Sequence, residues 1–307
     1  MSEVKAGRFW GNFPALFPQL APFLVFWAFF WLIPLIGGVE LAMEESLSLS
    51  ATEPKASTGY NNFLRVLEDA KFLHSLENTA WFVGCTLLVT LTLGFFLAAS
   101  IFRMKRRYQS VFLFLLLIPS LAMPGTLASL FYLFFHGKSG ALNQFLVIPL
   151  GLEPVNWMMN PAWILPCLVA QAVWRWTGLL TLLFYCGMRA IPRWQFEVAR
   201  IEGASPWAIV RGILYPGVRH LLVFGGVFLL IDGVASFSGA YNLLGGSGGV
   251  MDVGLLFVTY VYQVAFPGGG GRFDLPLASA MCILVASGAA ICGFFILRLR
   301  KGGALRG

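Results

Sequence analysis

Residues 80–102 read AWFVGCTLLVTLTLGFFLAASIF, residues 103–109 RMKRRYQ, and residues 110–135 SVFLFLLLIPSLAMPGTLASLFYLFF. Each apolar run reaches the ~18–20 residues that a helix needs to cross a bilayer, and neither holds a charged residue. Arg103, Lys105, Arg106 and Arg107 lie between them, and such a concentration of positive charge marks a cytoplasmic turn. Hydrophobic residues make up 58% and charged residues 11% of the 307 positions. Soluble domains carry about 25% charged residues, and a water-soluble fold of this size has too little interior to hide so much apolar surface.

Working outward, further apolar runs lie at Gln19–Val39, Ala162–Gly187, Leu221–Tyr241 and Leu275–Leu297. The first is preceded by aromatic and proline residues rather than a small-residue cleavage site, so it reads as a retained helix and not a signal peptide. The expectation is an all-α integral membrane protein with six transmembrane helices and both termini cytoplasmic. Its parts are a cytoplasmic N-terminal segment (1–18), the first transmembrane helix (19–39), an extracytoplasmic loop (40–79), a core of five transmembrane helices (80–297) and a basic cytoplasmic tail (298–307).

The charges agree with that topology. Arg298, Arg300, Lys301 and Arg306 close the chain on the side of the first basic turn. Residues 40–79 carry Glu40, Glu44, Glu45, Glu53, Glu68, Asp69 and Glu77 against Lys55, Arg65 and Lys71, a net of −4, and should face outward. Residues 253–265, VGLLFVTYVYQVA, are apolar but short and lie between Gly245–Gly249 and Gly268–Gly271. They read as an interfacial or re-entrant helix, with a seventh crossing as the alternative that the positive-inside bias opposes.

Two ionisable residues fall at membrane depth, where charge is costly and tends to face a bundle interior or a wet cavity. Arg175 lies half way along the fourth span and Asp232 half way along the fifth. A structural ion pair, a contact to solute and a gating contact to a partner are all open to them. Trp174, Trp176, Tyr185, Phe237 and Tyr241 lie nearby and suit either sugar stacking or plain packing. The candidates for a solute pathway are therefore Arg175, Trp176, Asp232, Phe237 and Tyr241.

Residues 188–220 form the longest basic loop. Pro192 starts one helix, Gly203 can end it in a left-handed cap, and Ser205-Pro206 starts another with an N-cap followed by proline. A helix, a sharp turn and a helix exceed what a connection between two spans requires, so the loop should dock something. Glu197-Val-Ala199, then Gly203, Ile213 and Pro216 at their spacing, resemble the EAA loop of binding-protein-dependent ABC importer permeases, which reads Glu-Ala-Ala, three residues, Gly, nine residues, Ile-x-Leu-Pro. Val198 and Tyr215 depart from that pattern.

Ile191-Pro192, Arg200-Ile-Glu-Gly-Ala-Ser205, Asn62-Phe63 with Asp69 and Asn78-Thr79, Gly140-Ala-Leu-Asn143 and Leu244-Gly-Gly are similar to the carbohydrate-uptake branch, of the maltose and glycerol-phosphate permease type. The resemblance covers roughly residues 15–300. It implies a type I ABC importer permease fold in a bacterial or archaeal cytoplasmic membrane, and a solute that is a sugar or related polar compound.

It further implies a second homologous permease, an extracytoplasmic solute-binding protein, and a cytoplasmic ABC ATPase dimer that carries the ATP and Mg. On this resemblance Glu197, Ala199, Arg200, Gly203, Ala204, Ser205, Ile213 and Pro216 couple to the ATPase, with Glu197 as the ionic contact. Arg189, Arg193 and Arg219 suit phospholipid headgroups.

Other chemistries find little footing. The net charge of +7 sits in short loops and forms no solvated face for nucleic acid. Cys85, Cys167, Cys186, Cys282 and Cys292 all fall in expected spans without metal-type spacing and read as buried packing. Gly137-Lys138-Ser139 lacks the first glycine of a phosphate loop, Tyr132 standing there. His74, His136 and His220 are scattered, so no catalytic or metal constellation and no cofactor is expected in this chain, which reads as a non-enzyme. The rival transport reading is an ion-gradient-driven secondary transporter using Asp232, which inverted repeats would favour; none is visible.

Overall fold

A computed structural model describes residues 13–44, 59–266 and 273–303. All the regular elements among them are helices, as hydrocarbon demands of a chain that must satisfy its own backbone. Five unbroken helices are long and apolar enough to span: α1 (Leu20–Ala42), α3 (Ala70–Phe102), α6 (Pro161–Arg189), α8 (Pro206–Val234) and α11, whose apolar part is Leu275–Ile296 and which runs to Gly303. Helix α2 (Asn61–Glu68) precedes α3.

The third expected span is not one straight helix. It divides into α4 (Arg106–Leu121) and α5 (Pro124–Phe135), bent by 99°. Pro119, inside the last turn of α4, supplies no N–H to its ladder, and Ala122 and Met123 are extended at ψ 141° and 137°, for Met123 the conformation that the following Pro124 imposes. Hydropathy runs unbroken through this corner, so the apolar count alone does not reveal it.

Other boundaries also differ from expectation. Helix α3 starts ten residues before the apolar run because Asp69 caps it, its carboxylate accepting from Lys71 N at 2.9 Å and Phe72 N at 3.2 Å. Much of the expected 40–79 loop is therefore helical, while residues 45–58 lie outside the described residues. The fifth span begins at Pro206 and stops at Val234, and a separate α9 (Ser238–Leu243) follows. The second half of the basic loop is thus the first part of the same helix. Residues 257–265 form α10 (Phe257–Ala265), whose 9 residues cannot cross, so there is no seventh span here.

The bundle is organised around α3 against α6, with α8 packed on both and α4 on α6. One buried cluster, including Phe95, Leu180, Phe184, Met188 and Val218, lies at the end that carries residues 189–206. A second, including Phe72, Leu255, Tyr260 and Met281, joins α2, α3, α10 and α11 at the other end. Between them Phe82, Val83, Ala128, Leu168 and Leu243 form a third.

Buried amides and hydroxyls tie these layers. Gln109 Nε2 donates to the Ile101, Phe102 and Met104 carbonyls at 3.0–3.2 Å, filling acceptors left open at the end of α3, and its Oε1 accepts from Tyr185 of α6 at 2.6 Å. At the other end Asn78 Nδ2 donates to Asp252 O and Thr79 Oγ1 accepts from Phe257 N, both pinning the turn before α10 onto α3. Tyr260 of α10 donates to Asp69 at 2.6 Å. Asn62 holds the end of α1 through Ala42 O, and Asn143 holds the 137–157 loop through Val155 O and Trp157.

The cysteines do not share one environment. Cys167 is buried and Cys85 half-buried, whereas Cys186, Cys282 and Cys292 face out of the bundle, where lipid is as good a solvent for a thiol as the interior. Helix contact is closest at Gly178, where a Cβ would overlap the Leu116 carbonyl oxygen of α4. Gly178→Ala should therefore lower the melting temperature of the solubilised protein, an overpacking loss of about 1–3 kcal/mol. Gly84→Ala, with no neighbour within 4 Å of its Cβ, should leave it unchanged, and equal shifts in the two variants would contradict this packing.

Candidate functional site

The basic loop folds as its residues predict at the turn. Helix α7 (Arg193–Ile201) follows Pro192 and ends at Gly203, whose φ is +72°. Ala204 N donates to Ala199 O at 2.8 Å and Gly203 N to Arg200 O at 3.1 Å, the paired bonds of a Schellman turn. Ser205 Oγ then accepts from Ala208 N at 3.2 Å, with Pro206 opening α8. A five-residue π segment, Val210–Leu214, containing Ile213, lies between this start and the rest of α8, which continues through Pro216.

Aromatic contacts fix the turn to the end of α3. The Phe102 and Phe196 rings are 5.5 Å apart, and Phe96 stacks with Trp207 at 6.4 Å. The opposite face of α7 is open: Glu197, Val198, Arg200 and Ile201 are exposed, Ile201 by 86%. An apolar side chain at that exposure beside an exposed carboxylate is a surface suited to a partner.

A second feature lies at mid-bundle. Arg175 and Trp176 of α6, Asp232 of α8 and Phe237 line one cavity of about 220 Å³. Its wall includes residues 235–237, the non-helical break between α8 and α9, and irregular backbone at membrane depth is tolerated where it lines a cavity.

Trp176 Nε1 donates to Asp232 Oδ2 at 2.6 Å. The Arg175 guanidinium lies over the same indole, 4.4 Å from its centroid, a distance at which a cation is attracted to the ring face. Phe228 meets that indole edge-on at 4.9 Å. Among the described residues no direct ion pair joins Arg175 to Asp232. In place of the direct pair open to them in the sequence, both charges contact one tryptophan, the carboxylate at its N–H edge and the guanidinium on its face.

Four of the five expected pathway residues therefore come together. Tyr241 does not: outside the cavity it packs at a tilt on Phe237 at 4.9 Å and edge-on against Tyr262 at 5.3 Å. Gln171 and Thr86 also line the cavity, along with Ser236 and Ser238. Gln171 was findable, one turn before Arg175 on the same helix face. Among the described residues Thr86 Oγ1 and Arg175 Nε are buried without a hydrogen-bond partner, and an unmade buried bond costs about 1–3 kcal/mol.

Residues 90–300 match the family model of the binding-protein-dependent transport system inner membrane component. The chain belongs to this family. The permease resembles the lactose transport system permease protein LacF of Rhizobium radiobacter, 25% identical over 80% of this chain and 82% of that one. It also resembles the trehalose/maltose transport system permease protein MalF of Thermococcus litoralis, 28% identical over 88% of each.

A chain in the crystal structure of a bacterial ABC transporter involved in the import of the acidic polysaccharide alginate has the same fold, with a TM-score of 0.79 at 20% identity over 96% of this permease and 98% of that chain. The permease is accordingly an ABC importer permease, a multi-pass helical component of a bacterial or archaeal inner membrane.

Because Gly203 stands at a positive φ, a branched side chain there should break the Schellman turn, a left-handed residue costing about 1–2 kcal/mol. Gly203→Val should speed tryptic cleavage after Arg200 in lipid nanodiscs several-fold, and Gly203→Asn, which tolerates the conformation, should not. Equal rates in the two variants would contradict the turn.

Proposed function

We propose that this permease moves a sugar or related polar organic solute by alternating access, driven by a separate ABC ATPase dimer that grips the α7 turn. The observation that carries the reading is the exposed α7 face with Glu197 at its centre, on a turn whose two arms are α6 and α8. Glu197 is the ionic contact to the ATPase. Ala199, Arg200, Gly203, Ala204, Ser205, Ile213 and Pro216 shape the turn and the start of α8. ATP and Mg belong to the ATPase.

The remaining parts follow from the same reading. A second homologous permease completes the pathway and an extracytoplasmic solute-binding protein delivers solute. Both termini and α7 lie on the cytoplasmic side, and residues 40–79 face outward. Arg189, Arg193 and Arg219 meet phospholipid headgroups. The sugar is supported by the functions of the relatives, lactose and trehalose/maltose transport among them, and by a cavity that mixes aromatic faces with amide, hydroxyl and opposite charges.

In proteoliposomes holding the whole importer, uptake should require ATP. Glu197→Ala and Gly203→Pro should each reduce ATPase co-purification and ATP-driven uptake about tenfold, the loss of one charge-assisted contact of about 1.5–3 kcal/mol, while both variants still insert in the membrane. Normal solute-stimulated hydrolysis in both would overturn the docking role. Uptake that persists without ATP and follows an ion gradient would favour the secondary transporter with Asp232 as its ion site.

A further inference from the structure

Several threonine hydroxyls in these helices close on their own backbone. Thr79, Thr92, Thr177 and Thr181 each donate to the carbonyl four residues earlier at 2.6–2.7 Å. Thr90 and Thr259 are buried without a partner among the described residues and stand off the mid-bundle cavity, whereas Thr86, 4% exposed, is both unpartnered at Oγ1 and on its wall. Arg175 Nε is a second buried group in that wall with no partner. A hydroxyl that forgoes the carbonyl within its reach is left available to something else, and two such groups on one cavity mark where a ligand's polar atoms complete the bonding.

The charges decide which ligand. Arg175 and Asp232 are the charged residues of the wall and they oppose each other in sign. Asp232 takes the Trp176 N–H at 2.6 Å while the guanidinium lies on the ring of the same indole. The carboxylate thus fixes the plane of the ring and compensates the arginine across it. A uronate would have to bind an arginine whose charge is already balanced, at a depth where unbalanced charge is costly.

We infer that Asp232 is a positioning residue that holds Trp176 and cancels the charge of Arg175, so that the cavity takes an uncharged, hydroxyl-bearing sugar ring through Thr86 and Arg175 and disfavours an acidic one. This rests on the proposed reading of the cavity as the solute site and narrows it to neutral saccharides.

The test uses the assembled importer in nanodiscs without its solute-binding protein, so that the selectivity of the membrane complex is read alone. Equilibrium dialysis compares tritiated lactose, trehalose and xylobiose with digalacturonate. The wild-type complex retains at least one neutral probe in preference to digalacturonate. Asp232→Asn keeps an acceptor for Trp176 Nε1 but leaves Arg175 uncompensated, and shifts the ratio toward digalacturonate by about tenfold. Thr86→Val lowers neutral-probe retention about tenfold, as the loss of a buried hydrogen bond does, and Thr86→Ser restores it. Trp176→Phe, with the Asp232 charge kept, lowers neutral retention without moving the ratio toward digalacturonate.

A wild-type complex that prefers digalacturonate or retains no neutral probe overturns the inference, as does an unchanged ratio in Asp232→Asn or wild-type retention in Thr86→Val. Co-purification of the ATPase is scored in the same samples. Its loss from Glu197→Ala reads the docking proposal separately, so the two can fail independently.

Discussion

The hydrogen bond from Trp176 of α6 to Asp232 of α8 joins at mid-bundle the same two helices that the α7 turn joins at one end. Both features therefore belong to one mechanical unit. From Arg175 to Arg189 the α6 helix runs 14 residues, about 21 Å at the helical rise, with buried Leu180, Phe184 and Met188 fixing it against α3. On the proposed reading α6 and α8 would carry a displacement of the turn to the cavity, and the two charges sit on different helices, Arg175 on α6 and Asp232 on α8.

The shared tryptophan also answers how a bilayer-spanning chain tolerates an arginine and an aspartate at such depth. Direct pairing is one solution. Here the carboxylate accepts an indole N–H and the guanidinium lies on the ring face, so each charge is met by a weaker, separable contact. A direct pair would close more tightly and offer nothing to a third party. The arrangement found leaves Arg175 Nε and Thr86 Oγ1 open, among the described residues, beside the non-helical backbone of residues 235–237.

Much of this was legible in the chain itself, and the unread remainder has a common cause. Apolar runs gave the spans because transfer to hydrocarbon is additive along a helix, and Pro192, Gly203 and Ser205-Pro206 foretold the turn because each encodes a local backbone conformation. The 99° corner between α4 and α5 was not read, although Pro119 and Pro124 were there to be seen, since hydropathy reports length and not direction. Arg175 and Asp232 were visible as charges, but their partner was an aromatic that pattern could not separate from packing. Thr86 left no trace, because a hydroxyl's bond to its own helix or to a cavity depends on side-chain rotation, which spacing does not encode.

The central claim is that the turn and the cavity move together through α6 and α8. Spin labels at Trp163 of α6 and Phe224 of α8, on a background with the five native cysteines replaced, report the separation of these helices in the assembled importer. Double electron–electron resonance should show the distance distribution shift when a non-hydrolysable ATP analogue is added to the bound ATPase. A distribution that stays the same with the analogue bound would contradict the account.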